Sequence, residues 1–259
     1  MCIRDSSSIM NINSNSYTYI FAIAMVVIVA SLLSIAATSL KPFQDKNIEL
    51  EKKSDILSSI GVIGENPELL FSEYITDQLV IQDGRVVSSD IAAFDIDMAA
   101  AVKESNNSRK VPLFKAEKNG NTFYVIPMRG TGLWGPIWGY VSLKGDGNTI
   151  LGASFDHEKE TPGLGAEIST PIFQDQFPDK VLFSQTRDGI EVRKGDAYGL
   201  QQVDGISGGT ITSVGVQTML EDCLVPYKEF LLKLAEDEIE IPSDSCLLYT
   251  SPSPRDLTA

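Results

Sequence analysis

Residues 204–213 bring together the side chains best suited to chemistry, in the sequence DGISGGTITS. Two adjacent glycines allow the backbone to approach a ligand closely and to adopt positive φ angles. A run with helical spacing follows directly, and the N–H groups and positive dipole end of a helix favour an anion. The segment therefore predicts a phosphate-binding turn. The same residues also fit an ordinary turn in which Ser207, Thr210 and Thr212 cap the helix.

The segment resembles the acceptor motif D-x-x-(S/T)-G-A-T, on which a flavin transferase joins FMN to the last threonine through a phosphoester. That threonine is Thr210, and Gly209 stands where alanine is usual. The resemblance implies that Thr210 carries covalent FMN and that Ser207, Gly208, Gly209 and Thr212 contact it. The backbone N–H groups of the turn and of the helix start would bind the phosphate.

Two further segments resemble the same family in the same order: RGTGLWGPIWGY at residues 129–140 and HEKETPGLGAEI at 157–168. The likeness, from the apolar N-terminal segment to about residue 234, is to the C subunits of the Na+-translocating NADH:quinone oxidoreductase, a translocase. It implies a flavoprotein that relays electrons in a six-subunit complex of the bacterial inner membrane, with NADH as donor, ubiquinone as acceptor and Na+ exported. The implied partners are the other subunits, the flavin transferase and membrane lipid.

Three other functions compete with this interpretation. The G subunit of an Rnf-type ferredoxin:NAD complex shares the acceptor and Pro-Gly-Leu-Gly motifs, although residues 134–140 favour a C subunit. A flavin-binding membrane sensor would purify without electron-transfer partners. A structural anchor without flavin would be colourless.

The loop at residues 160–165 contains a Pro-Gly pair and on its residues alone predicts a tight turn between strands. The resemblance implies that this loop lies on the isoalloxazine side of FMN. Thr161 would then hydrogen-bond the ring edge and Leu164 would pack on its face, with Glu160 and Gly165 completing the contacts. Donors at the ring edge tune the potential of a flavin.

Three further side chains have two interpretations each. Trp134 and Trp138, among several glycines, are either core residues or a shield that keeps water from the flavin. Lys194 either neutralises the phosphate or is an ordinary surface lysine.

The residue inventory excludes several other kinds of site. The chain has one histidine, His157, and three cysteines without C-x-x-C spacing, so we predict no metal site. We predict no catalytic residue, because no Ser/His/Asp set emerges, and no NADH site, because no G-x-G-x-x-G follows a strand. The net charge of −14 argues against binding nucleic acid.

An uncharged stretch at residues 20–40 is long enough to cross a hydrocarbon core of about 30 Å. We assign residues 17–40 to a transmembrane helix, with Tyr17 and Tyr19 as interfacial anchors. Four lysines follow the helix, and the positive-inside rule would place them in the cytoplasm. The family resemblance instead implies a single-pass protein whose soluble domain faces the periplasm.

The remaining patterns predict an α+β fold, in which the single N-terminal transmembrane helix precedes a soluble domain with an antiparallel or mixed twisted sheet and flanking helices. An Asp-Gly hairpin is predicted at residues 78–87 and a meander at 113–118, 122–128, 137–143 and 149–157. Two further strands are predicted at 181–183 and 190–192, and helices at 41–59, 91–104, 213–223 and 227–238.

The predicted domains are a membrane-proximal α/β region at residues 41–111 and an FMN-binding domain at 112–241. The N-terminal tail at residues 1–16 and the C-terminal tail at 242–259 flank the folded part. Residues 1–6 and 246–256 resemble translated sequencing-adapter residue, and we expect residues 1–8 and 242–259 to be artefacts. Cys2 and Cys246 lie in these tails, which leaves Cys223 as a single thiol.

Overall fold

A computed structural model describes residues 15–106, 108–185 and 187–239. The chain forms two compact units that divide between Lys52 and Lys53. The predicted artefact segments at residues 1–8 and 242–259 lie outside the described residues.

The helix α1 (Asn15–Ser59) covers both the predicted transmembrane segment and the predicted amphipathic helix that follows it. The two form one continuous helix, which includes Pro42. Its apolar part is long enough to cross a membrane, and its side chains are exposed. The helical conformation of both segments is therefore confirmed, and the membrane crossing of the first remains a prediction.

The last turn of α1 belongs to the second unit, and polar side chains of the sheet hold it. Lys118 Nζ donates hydrogen bonds to the carbonyl oxygens of Ile60 and Gly61, each at 3.0 Å, and Ser142 Oγ donates to the carbonyl of Ser59. The final carbonyls of a helix have no partner within the helix. Ser142 satisfies that of Ser59, and Lys118 satisfies the two carbonyls that follow α1.

A six-stranded antiparallel sheet forms the centre of the second unit, in the order β2-β1-β3-β4-β5-β6. Helix α2 (Pro67–Tyr74) leads into it, with Asn66 as the N-cap. The strands are β1 (Ile75–Gln82), β2 (Arg85–Val86), β3 (Val111–Lys118), β4 (Asn121–Thr131), β5 (Pro136–Leu143) and β6 (Ile150–His157). The predicted Asp-Gly hairpin and the predicted meander are both confirmed.

The two faces of the sheet bury different apolar clusters, because side chains alternate along a strand. On β4, Ile126 and Met128 point to a large cluster shared with the C-terminal helices, while Val125 points to a smaller cluster. The smaller cluster includes Ile56 and Leu57 from the end of α1. The sheet is therefore covered on both faces.

The predicted helix at residues 91–104 is wrong over most of its length. The structure has a 3₁₀ turn at Ala93–Asp95 and a short helix α3 (Met98–Ala101). Ile96 is extended between them, and the Asp97 side chain accepts a hydrogen bond from the N–H of Ala99 at 2.8 Å. An N-cap aspartate starts a new helix, so the alanine-rich run is divided.

The predicted strand at residues 190–192 is confirmed with a shift of one residue, whereas residues 181–183 do not form a regular strand. Val181 and Phe183 make isolated bridges, and β7 (Glu191–Arg193) pairs in parallel with β8 (Gln202–Asp204), a strand that the sequence did not indicate. The Gln201 side-chain amide donates to the carbonyls of Leu182 and Arg187, both at 3.0 Å. These bonds add to backbone hydrogen bonds between the same segments, in which the N–H of Gly189 donates to the carbonyl of Leu182 at 2.7 Å and the N–H of Ser184 to that of Arg187 at 3.0 Å.

The C-terminal helices confirm the predictions at residues 213–223 and 227–238. After a 3₁₀ turn (Gly165–Ser169) and α4 (Pro171–Gln174), the chain forms α5 (Thr210–Leu224), a 3₁₀ turn (Val225–Tyr227) and α6 (Lys228–Ile239). Helix α5 lies close against β4, where a Cβ at Gly130 would be 2.7 Å from Met219 Cβ. This packing places the first residue of α5, Thr210, at the candidate site.

The sheet continues across the predicted domain boundary at 111/112, because β1 pairs with β3. The assignment of residues 112–241 to an FMN-binding domain remains a prediction.

Candidate functional site

The predicted acceptor threonine is the first residue of α5 and is exposed. Gly209 is the N-cap residue, and among the described residues no side chain caps this helix. The expectation that Ser207, Thr210 and Thr212 act as caps is therefore wrong. Gly208 has φ of +78°, which favours glycine. The first N–H groups of α5 are positioned for an anion.

A buried serine, Ser213, fixes this turn. Its Oγ accepts a hydrogen bond from the N–H of Ile206 and donates one to the carbonyl of Gly209, both at 2.9 Å. Sequence reasoning assigned no role to Ser213. The sequence could have indicated this role, because a serine in the first turn of a helix often hydrogen-bonds to backbone groups that precede it.

Two cavities meet at Thr210. The smaller, of about 240 Å³, is lined by the loop after β6, the turn after β4 and the start of α5: Leu133, Trp134, Glu160, Thr161, Leu164, Gly165, Gly208, Gly209, Thr210, Ile211 and Thr212. The larger, of about 550 Å³, is lined by Val192, Arg193, Lys194, Gly195, Gly205, Ile206, Ser207, Gly208, Thr210, Ser213 and Val214. Every predicted site residue lines one cavity or both.

The loop at residues 160–165 is both a tight turn and a wall of the smaller cavity. The carbonyl of Thr161 accepts the N–H of Leu164 at 3.1 Å. Leu164 is 42 % exposed and lies on the glycine pair, where a Cβ at Gly208 would be 2.6 Å from Leu164 Cδ2 and one at Gly209 3.1 Å from the Leu164 carbonyl. The glycines thus allow the two predicted segments to touch.

Glu160 links all three predicted segments. It is only 5 % exposed. Its Oε2 accepts a hydrogen bond from Thr212 Oγ1 at 2.6 Å, and its Oε1 accepts the N–H of Trp134 at 2.8 Å. Burial raises the pKa of Glu160, but these hydrogen bonds outweigh it, so the pKa lies below the ordinary carboxyl value. The carboxylate is therefore charged at neutral pH.

The two tryptophans occupy different environments. Trp134 is 64 % exposed at the mouth of the smaller cavity, so its interpretation as a core residue is wrong. Trp138 is half-buried, and the Arg129 guanidinium lies 5.1 Å from its ring centre, which is a cation–π distance. The role of Trp134 as a flavin shield remains a prediction.

Lys194 lines a cavity of the site, whereas His157 contacts the backbone of a site residue. Lys194 is exposed and lines the larger cavity beside Ser207. His157 Nδ1 accepts the N–H of Glu160 at 3.3 Å. Within the described ranges no cluster of ligand-type side chains could hold a metal ion.

These residues fit a flavin nucleotide. An exposed hydroxyl stands at a helix N-terminus and shares the larger cavity with Lys194, as a phosphate needs. The smaller cavity beside it has the exposed apolar side chains of Leu133, Trp134 and Leu164, as an aromatic ring system needs.

The chain matches known proteins over this site. A family model described as an FMN-binding domain matches residues 132–225. The C subunit of the Na+-translocating NADH-quinone reductase from Vibrio anguillarum is 33 % identical over 233 residues, covering 81 % of this chain and 91 % of that protein. This chain belongs to the family of these C subunits. The corresponding protein of Haemophilus ducreyi is 33 % identical over 212 residues, covering 73 % of this chain and 82 % of its own.

Solved structures of these C subunits have the same α+β fold. A crystal structure from Parabacteroides distasonis is 41 % identical with a TM-score of 0.67, covering 74 % of this chain and 96 % of its own. The NqrC structure from Shewanella oneidensis is 25 % identical with a TM-score of 0.63, covering 73 % and 98 %. The fold class and the family predicted from the sequence are confirmed.

Proposed function

We propose that this chain is the FMN-carrying electron-transfer subunit of a Na+-translocating NADH:quinone reductase, with FMN joined to Thr210 by a phosphoester. The observation that carries the proposal is the position of the Thr210 hydroxyl. It is exposed at the N-terminus of α5, between two cavities, inside the match to an FMN-binding domain.

Attachment forms a bond between Thr210 Oγ and the flavin phosphate. A flavin transferase would use a donor in which the flavin is joined to a diphosphate. The P–O–P bond of that diphosphate would break, the outer phosphate group would leave, and the Thr210 hydroxyl would lose its proton. The resulting phosphodiester keeps one negative charge. The N–H groups of Gly208 and of the start of α5 would bind it, whereas the N–H of Gly209 donates to the Ile206 carbonyl at 3.0 Å. Lys194 would balance the phosphate charge across the larger cavity.

The smaller cavity would hold the isoalloxazine ring. Leu164 and Trp134, which line this cavity, would supply apolar surface to the ring, and Thr161 would supply a hydroxyl. Bound FMN supplies reversible electron transfer. Covalent attachment prevents loss of the cofactor from an open site, so the chain acts as a relay between other subunits, which would oxidise NADH and reduce ubiquinone.

The helix α1 would anchor the protein in the bacterial inner membrane among lipid and the other subunits of a six-subunit complex. The soluble unit would face the periplasm, as the family resemblance implies. The lysines after the helix do not oppose this, because long domains translocate largely regardless of charge. The identity to C subunits of the quinone reductase supports this assembly over an Rnf-type complex, a sensor or a structural anchor.

The test is the full-length chain coexpressed with a flavin transferase and separated on a denaturing gel. Under ultraviolet light the wild-type band fluoresces, and Thr210→Ala loses the signal while remaining folded, because the change removes an exposed hydroxyl and no core volume. Thr218→Ala, an exposed threonine on the same helix, keeps the fluorescence. A fluorescent Thr210→Ala band contradicts the proposal.

A further inference from the structure

Of the described residues that line the smaller cavity, Glu160 alone is ionisable. The other charged side chains near this cavity do not line it. Lys159 pairs with Glu158 at 2.7 Å, and Lys194 and Arg193 line the larger cavity. Attachment to Thr210 uses the phosphate and the start of α5, so it assigns no task to a buried carboxylate.

The carboxylate of Glu160 has a fixed position. Both oxygens accept hydrogen bonds, one from Thr212 and one from the backbone of Trp134. Two glycines leave the space that it fills, since a Cβ at Gly132 would be 2.5 Å from Oε1 and a Cβ at Gly165 would overlap Oε2. The negative charge therefore cannot turn away from the cavity without repacking three segments.

We propose that Glu160 is a positioning residue that also lowers the midpoint potential of the bound flavin. It fixes the Trp134 turn and Thr212 around the smaller cavity and places a negative charge at its wall. This inference rests on the proposed function, because it requires a flavin at Thr210.

The sign follows from electrostatics. Electrons that enter the flavin add negative charge at its ring edge, and charge near that edge tunes its electronics. A neighbouring carboxylate repels the added charge, and screening by water is weak where the carboxylate is buried. The half-buried His157 contacts the backbone of Glu160, because its Nδ1 accepts the Glu160 N–H at 3.3 Å.

A neutral side chain of the same shape separates the effect of charge from the effect of packing. Glu160→Gln keeps an acceptor for the Trp134 N–H and a polar partner for Thr212 but removes the charge. Glu167→Gln is the matched control, since Glu167 lies in the same region and accepts the N–H of Gly163 at 2.9 Å but does not line the smaller cavity.

The experiment is spectroelectrochemical titration of the full-length chain, coexpressed with a flavin transferase, with intact mass recorded on the same samples. Glu160→Gln shifts the midpoint potential to a more positive value than wild type, whereas Glu167→Gln leaves it close to wild type. Glu160→Asp, which keeps the charge but withdraws it by one methylene, gives a smaller positive shift.

The outcomes separate the two claims. A loaded Glu160→Gln chain with an unchanged or more negative potential overturns this inference and leaves the proposed function standing. If Glu160→Gln is recovered without flavin, Glu160→Asp decides: a more positive potential supports the inference, and an unchanged one overturns it. A wild-type chain without flavin contradicts the proposed function and this inference with it.

Discussion

At the residue scale, the site depends on a few close contacts around Thr210. The sequence predicted the acceptor position and the small residues beside it. It did not predict that Glu160 and Thr212, which are 52 positions apart, bond each other at 2.6 Å, nor that Ser213 holds the turn. Such pairings depend on tertiary packing, which leaves no local periodicity in a sequence.

Removing the Thr212 hydroxyl tests how far the Glu160 network stabilises the fold. We expect Thr212→Val to lower the free energy of unfolding by about 1–3 kcal/mol, because it removes one hydrogen bond from a buried carboxylate. The measurement is urea denaturation of the full-length chain in detergent at neutral pH.

The pH dependence gives a second check on the same network. A carboxyl whose pKa is lowered in the folded state stabilises the fold above its unfolded pKa, and this contribution is lost as the pH falls through the folded pKa. Wild type should therefore lose more stability on acidification than Glu160→Gln. An equal loss would contradict the ionised state of Glu160.

At the element scale, strong alternation and clear turns gave correct predictions. The meander formed by β3 to β6 and the helices α5 and α6 follow such patterns, and all of them are present. The alanine-rich run near residue 96 was predicted wrongly, because the Asp97 side chain caps a new, short helix there. The predicted strand at 190–192 is present as β7, whereas residues 181–183 make isolated bridges and β8 was not predicted.

The junction between α1 and the sheet yields an element-scale prediction. Lys118→Met should reduce the free energy of unfolding by about 1 kcal/mol, because it removes two bonds to the carbonyls at the end of α1 and a favourable charge near a helix C-terminus. Lys115→Met, on the same strand with only a 3.9 Å ion pair to Glu117, should change it by less than about 0.5 kcal/mol. Equal effects in chemical denaturation would show that the junction contributes nothing specific.

At the scale of the whole molecule, the chain consists of one long helix and one soluble unit, as the sequence predicted. Residues 20–40 allowed the membrane segment to be predicted because an uncharged run of this length is rare outside membranes. Orientation is harder to predict, since the lysines after the helix favour the cytoplasm and the family resemblance favours the periplasm.

Thiol labelling decides the orientation. Tyr198 is 91 % exposed in the soluble unit, so Tyr198→Cys, in a chain without Cys2 and Cys246, should react with a membrane-impermeant maleimide once the outer membrane is permeabilised. Cys223 should stay unlabelled, because burial raises its pKa to about 11 and the thiolate is the reactive form. Labelling of Tyr198→Cys only after cell lysis would contradict a periplasmic location.

The most direct test of the central claim is intact and peptide mass spectrometry of the full-length chain, coexpressed with a flavin transferase. The account predicts an added mass of one FMN less one water, located on the peptide that contains Thr210 and absent from Thr210→Ala. An unmodified Thr210 peptide, or the same added mass on another residue, would contradict it.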